Sequence, residues 1–254
     1  METKIIKDPE ELNNKIEKHP KQDFQVERLA FFSDAVFAIA ITLLVIEFKI
    51  PRINGDTTYD DALKQLWDLK YLFIATLLSF YLITYYWRTH HLLFKHIHNY
   101  DKKLITFNML MLLPIIFCPF TTAFLAESLN NFISQTFNHV QGNEKIYLLG
   151  IRLFVLNHFF AYLTCYIFYW HAMVKHKELS FTMPVKEKFD FLMDTWFAII
   201  FMGAVFVATF FSNMAILGLA MWLAVILRII IKRKQKKRLA EEEKLKCNEN
   251  KTEL

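Results

Sequence analysis

The run Arg28-Leu29-Ala30-Phe31-Phe32-Ser33-Asp34, continued by Ala35-Val36-Phe37-Ala38-Ile39-Ala40-Ile41-Thr42-Leu43-Leu44-Val45-Ile46-Glu47, decides the fold. Twenty residues lie from Arg28 to Glu47, and Asp34 is the only charge between them. At about 1.5 Å per residue such a run crosses about 30 Å, the hydrocarbon thickness of a bilayer. It reads as a membrane-spanning helix, expected over 28–50. Asp34 then lies about 9 Å inside Arg28. A carboxylate at that depth is costly unless it is paired or wet, so it must face protein or water rather than lipid. Ser33 beside it adds a second hydrogen-bonding group. Arg28 and Asp34 are six apart and cannot pair on one face, so each needs a partner on another helix. The inner end of the second span, Tyr86-Trp87-Arg88-Thr89-His90-His91, is best placed to supply it. Beyond Asp34, positions 39, 42/43 and 46 form a helical stripe. Periodicity alone favours a packing seam over a pore wall. Two features favour the wall: Thr42 interrupts the stripe, and Ile39 lies near the middle of the span.

Working outward, the composition agrees with a helical membrane protein. Of 254 residues 54% are apolar and 16% aromatic, with five glycines and six prolines. Six stretches are long and apolar enough to span: 28–50, 69–88, 104–126, 146–171, 190–211 and 213–231. The last two are separated by a hairpin expected at Ser212-Asn213, because an unbroken helix would overshoot the bilayer. The charges gather outside these stretches. Lys and Arg number six in 1–28, four in 88–103, four in 171–188 and ten from 228 onward, all on one side. Only Lys49, Arg52, Lys64, Lys70, Lys145 and Arg152 fall on the other. The excess of basic residues in cytoplasmic loops places both termini inside, as an even number of spans requires. The first 27 residues are charged and lack an apolar core, so no cleavable signal peptide is expected there. Residues 8–19 read as a short polar helix capped by Asp8 with Pro9 following. The expected division is a cytoplasmic arm over 1–27, a six-helix membrane domain over 28–231 and a charged cytoplasmic tail over 232–254, opened by a basic flank that fixes topology.

Arg28-x-x-x-Phe32-Ser33-Asp34 at the start of the first span resembles the signature of the transmembrane protein 175 potassium channels, and specifically of their single-repeat prokaryotic members. Trp87, His90 and His91 near the end of the second span are also similar to that group. The resemblance is firm over the first helix; the later spans match in number and orientation. It implies an all-α membrane protein assembled as a homotetramer in a bacterial inner membrane, with the first helix of each subunit lining a central pore. The constriction would fall at Ile39, with Thr42 as a polar layer one turn outward and Leu43 and Ile46 as further apolar rings. Arg28, Phe32, Ser33, Asp34, Trp87, His90 and His91 would hold the helices in register. The conducted ion would be K+, with no cofactor and no nucleic-acid partner.

The rest of the sequence bears on that expectation. No TVGYG-like segment is present to build a ring of backbone carbonyls. A ring of Ile39 side chains would instead gate by wetting and dewetting, with modest preference for potassium over sodium. Glu47, helped by Asp56, Asp60 and Asp61, would make the outer mouth negative and concentrate cations. The alternative is a six-helix divalent-cation exporter, for which Asp190 and Asp194 form a DxxxD. The second span has no matching carboxylate pair, and the tail is too short for a soluble metal-sensing domain. A haem protein would need two deep histidines on facing helices. Of His90, His91, His96, His98, His158, His171 and His176, only His158 is expected deep in a span; the others would cap helices, pair with acids or titrate. There is no GxSxG, HExxH or nucleotide loop, and no enzymatic activity is expected. Cys118, Cys165 and Cys247 are odd in number and widely spaced, which excludes a disulfide framework; the first two read as small buried apolar residues.

Overall fold

The computed structural model describes residues 20–49, 52–137 and 144–211, together with 226, 229–231 and 233. The polar helix expected at 8–19, the hairpin at Ser212-Asn213 and most of the sixth span and charged tail lie outside the described residues. What is described is helical: α1 (Pro20–Ile46), α2 (Tyr59–Asp68), α3 (Lys70–Phe94), α4 (Lys102–Phe137), α5 (Glu144–Tyr169) and α6 (Val185–Ala208). Five of these segments are long and apolar enough to cross a membrane: α1, α3 with α2 leading into it, α4, α5 with its last turn, and α6. The chain is a multi-pass α-helical membrane protein.

The first five expected spans are found, with their ends moved. The first ends at Ile46 rather than residue 50, with the Phe48 amide closing a last turn on the Val45 carbonyl at 3.1 Å. The second runs on to Phe94, so His90 and His91 sit within the helix rather than at its end. The third continues to Phe137, because the polar stretch after residue 126 remains helical although it is no longer apolar. The fourth ends in a π turn, Trp170–Lys175, in which the His176 amide reaches back five residues to the His171 carbonyl at 3.0 Å. The fifth starts at Val185, directly after Pro184.

α4 is the centre of the bundle, packed against α1, α3 and α5, while α6 packs on α5. It contains Pro114 and Pro119, each of which removes an amide donor from the helix ladder. Side chains also bond to the helix backbone along this stretch. The Asn157 amide of α5 donates to the Pro114 carbonyl at 2.9 Å, and the Thr122 hydroxyl donates to the Cys118 carbonyl at 2.7 Å. Farther along, Gly150 lets α5 approach α4 so closely that a Cβ would overlap the Ser128 hydroxyl. Small residues set such contacts in membranes, where packing rather than water exclusion drives association. Cys118 and Cys165 are buried free thiols, in keeping with their expected role as small core residues.

At one end of the bundle the α3–α4 and α5–α6 connections pair. The His98 and Asn99 amides donate to the Leu179 carbonyl (3.1 and 3.2 Å), and the Phe181 amide donates to the His96 carbonyl (2.7 Å). The histidines here pair with acids, as expected. His96 faces Glu187 at 2.9 Å, His171 faces Asp101 at 3.2 Å, and His176 faces Glu178 at 2.8 Å. Asp101 also caps α4, accepting the Leu104 amide at 2.6 Å. At the other end Arg152 closes α6 by donating to the Thr209 carbonyl (2.8 Å) and hydroxyl (3.1 Å).

Candidate functional site

α1 has two faces set by its sequence. Val26, Ser33, Phe37, Ala40 and Leu44 recur at helical spacing and are buried against α3 and α4. On the opposite side, Arg28, Ala35, Ile39, Thr42 and Ile46 are exposed, Ile39 at 57% and Ile46 at 71%. At about 100° per residue the two stripes lie roughly 180° apart. Leu43 is half-buried at the edge of the exposed stripe. The Thr42 hydroxyl donates to the Ile39 carbonyl at 2.8 Å, which leaves its oxygen lone pairs turned to the open side of the helix.

The buried face is anchored by a hydrogen-bond chain whose directions follow from one another. Ser33 has one hydroxyl proton, and it goes to the Leu29 carbonyl at 2.9 Å. Its oxygen can then only accept, and the Asn108 amide of α4 donates to it at 2.9 Å. That orientation turns the Asn108 carbonyl oxygen toward His90 Nε2 of α3 at 3.1 Å, so His90 must carry its proton on Nε2 and donate. Ser33 and Asn108 are fully buried and His90 almost so. Phe37 packs edge-on against the His90 ring at 5.6 Å, and Phe94 stacks on its other side at 4.3 Å. Beside this chain, the Trp87 indole of α3 donates to the Asp34 carboxylate at 2.9 Å. Asp34 thus has a partner on the second span, where one was expected.

The remaining signature residues stand apart within this chain. Among the described residues the Arg28 guanidinium has Phe24 of its own helix 6.0 Å away and no partner on another helix. Arg28 and Phe32 line an open groove of about 400 Å³ with Gln25, Leu29, Tyr100, Ile105 and Met109. His91 is exposed and lies against Trp87, with ring centres 5.9 Å apart. Glu47 follows the last residue of α1 and lines a cavity of about 320 Å³ with Lys49, Asp68, Glu127 and Asn130 among others. Asn108 was missed in the sequence, although the signal was there: an amide inside the apolar run 104–126 must be satisfied by a neighbour. His90 was read as a boundary residue and is a core one. Among the described residues no group of three or more His, Cys, Asp or Glu converges as a metal-binding set.

A helix satisfied along one face and open along the other, held by a polar chain inside a multi-pass bundle, makes the first span the candidate functional element of this membrane protein. Residues 28–119, which contain most of α1, α2, α3 and the first half of α4, match the family described as endosomal/lysosomal potassium channel TMEM175. Over that stretch the chain is similar to the TMEM175 family. A potassium channel of Streptomyces collinus is 38% identical over 102 residues, covering 40% of this chain and 48% of that protein. A potassium channel of Chamaesiphon minutus is 40% identical over 112 residues, covering 43% and 53%. The chain thus spans about half the length of the curated relatives it matches. The crystal structure described as a lysosomal potassium-selective channel TMEM175 homolog from Chamaesiphon minutus superposes with a TM-score of 0.58 at 25% identity, over 83% of this chain and 97% of that one.

Proposed function

We propose that this chain is one subunit of a homotetrameric, potassium-permeable channel in which α1 of each copy lines a central pore. The observation that carries the proposal is the open stripe Ile39-Thr42-Ile46, directly opposite a face of α1 already saturated by its own chain. A stripe facing only lipid would have no use for a hydroxyl at mid-span, whereas a pore wall gains a polar layer next to an apolar constriction. Ile39 forms the narrowest ring, Thr42 the polar layer outward of it, and Leu43 and Ile46 further apolar rings. Selectivity rests on dehydration at that constriction, with a modest preference for potassium over sodium. Ser33, Asp34, Trp87 and His90 set the tilt of α1 from within the subunit. Arg28, Phe32 and His91 complete the register between subunits, and Glu47 contributes negative potential at the outer mouth. The protein sits in a bacterial inner membrane with both ends cytoplasmic, an orientation that the basic loops support. The membrane domain over 28–231 carries the activity and the flanking arm and tail do not.

Purified protein reconstituted into liposomes is expected to pass K+ down a gradient, and flux no greater than that of empty vesicles sinks the proposal. Ile39→Asn is expected to raise conductance and lower selectivity while leaving the tetramer intact. An unchanged current removes Ile39 from the constriction.

A further inference from the structure

α2 is a ten-residue helix whose apolar side the described residues leave exposed. Thr58 caps it with a reciprocal box: its hydroxyl accepts the Asp61 amide at 3.2 Å, and the Asp61 carboxylate accepts the Thr58 amide at 3.2 Å. Tyr59, Leu63, Leu66 and Trp67 fall on one side at spacings of four, seven and eight residues. Asp60, Asp61, Lys64 and Asp68 fall on the other. None of the ten residues is buried; Tyr59 is 80% exposed and Trp67 67%. Gln65 ties the helix down by accepting the Arg52 amide at 2.9 Å. A single residue, Leu69, joins α2 to α3; at its ψ of −2° the ladder tightens, the Leu69 amide donating to the Leu66 carbonyl at 3.2 Å.

That joint fixes the depth of α2. α3 begins at Lys70 and enters the bilayer, where Phe73, Ile74 and Leu77 are exposed along it. The Lys70 ammonium lies 5.4 Å from the Trp67 ring and 4.9 Å from the Tyr71 ring. Tryptophan, tyrosine and lysine grouped at the mouth of a span are the side chains that settle at headgroup level, with rings in the apolar boundary and the charge in water. We propose that α2 is an interfacial helix, seated in the membrane–water boundary with Tyr59, Leu63, Leu66 and Trp67 turned into the lipid. Its polar side holds three acids against Lys64, so the fit is to a zwitterionic lipid surface held by apolar area rather than by attraction to anionic headgroups. The helix then acts as a stop that fixes how deep α3, and through Trp87 and His90 also α1, sits in the bilayer.

The inference rests on the membrane reading of α3, and the test separates the two. Spin labels are placed on the full chain at Leu63→Cys or Leu66→Cys, at Asp60→Cys or Lys64→Cys, and at Leu77→Cys, each with Cys247→Ser. Cys118 and Cys165 are buried, and the five labelled positions are exposed, so folding is spared. In phosphatidylcholine liposomes, positions 63 and 66 are expected to be severalfold more accessible to oxygen relative to a water-soluble nickel chelate than positions 60 and 64. Partial substitution with phosphatidylglycerol is expected to leave that ratio unchanged. Equal nickel accessibility on both sides overturns the proposal, because the helix then stands in water. Exclusion of both reagents from 63 and 66 also overturns it, because a second copy then covers the stripe. Nickel access at Leu77→Cys removes the membrane reading of α3 and the proposal with it.

Discussion

The two faces of α1 are built from similar residues and answer different problems. Val26, Phe37, Ala40 and Leu44 are as apolar as Ala35, Ile39 and Ile46, yet the first set is buried and the second is open. Hydrophobicity therefore does not tell them apart. The polar residues do. Ser33 on the closed face is fully buried and spends its proton and an oxygen lone pair inside the chain, whereas Thr42 on the open face bonds only its own helix. In a bilayer both lipid and protein are apolar, so a helix is oriented by its polar contacts and by packing. The closed face determines how the chain folds, and the open one is the face that the proposed channel would use.

The sharpest way to break this contrast is to open the closed face. Phe37→Ala removes a ring that is almost fully buried against His90. It is expected to cost about 3–5 kcal/mol, because lipid cannot fill the hole and the packing contacts are lost outright. Detergent-solubilised protein should show a large fall in melting temperature. A change within error would mean that α1 is not held by this face.

Asn108→Leu tests the polar half of the same face, with a smaller expected loss. It leaves the Ser33 oxygen short of its donor and the His90 proton without an acceptor. At about 1–3 kcal/mol for an orphaned buried group, the loss should exceed that of Asn157→Leu, where the main partner is a single carbonyl at 2.9 Å. Equal losses would show that Asn108 is no more than one more buried amide.

This residue also marks the boundary of what the sequence could tell. Asp34 was legible because a carboxylate about 9 Å inside a span has few affordable surroundings, and its partner was sought on the right helix. Asn108 carries the same argument in weaker form, but its two partners come from α1 and α3. Nothing along the chain announces that these two helices meet at residue 108. The ends of the helices were missed for a different reason. Hydropathy reports where the membrane is, and α4 continues through Glu127, Asn130 and Gln135 after the apolar run has ended. The open groove beside Arg28 was illegible because its walls come from α1, Tyr100 and α4 together.

Ile39→Asn sharpens the contrast from the other side, with almost no effect on stability. Were Ile39 in contact with lipid, a polar amide at mid-span would be disfavoured by an amount on the order of 2 kcal/mol. Facing a pore it meets water, and the expected change in stability is within about 0.5 kcal/mol of zero, read as an almost unchanged melting temperature. A clear destabilisation of the subunit would assign the open stripe to lipid and leave the pore elsewhere.

The smallest effect is expected where polar groups can still reach water. Burial works against ionisation of Asp101, but the Leu104 amide and then His171 outweigh it and hold the carboxyl below its ordinary value. The sign follows: the stabilisation is present above the unfolded carboxylate value of about 3.9 and is lost as pH falls through the lower folded one. Its side chain is 35% exposed, so screening leaves well under about 1 kcal/mol. Asp101→Asn keeps a side chain able to cap α4 and discards only the charge facing His171. The variant should therefore melt slightly below the parent at pH 7, and the gap should close as the pH is taken below 4. A gap that persisted there would assign the contribution to the cap rather than the charge. In that case the polar contacts at this end of the bundle act as those around Ser33 do, by geometry rather than by ionisation.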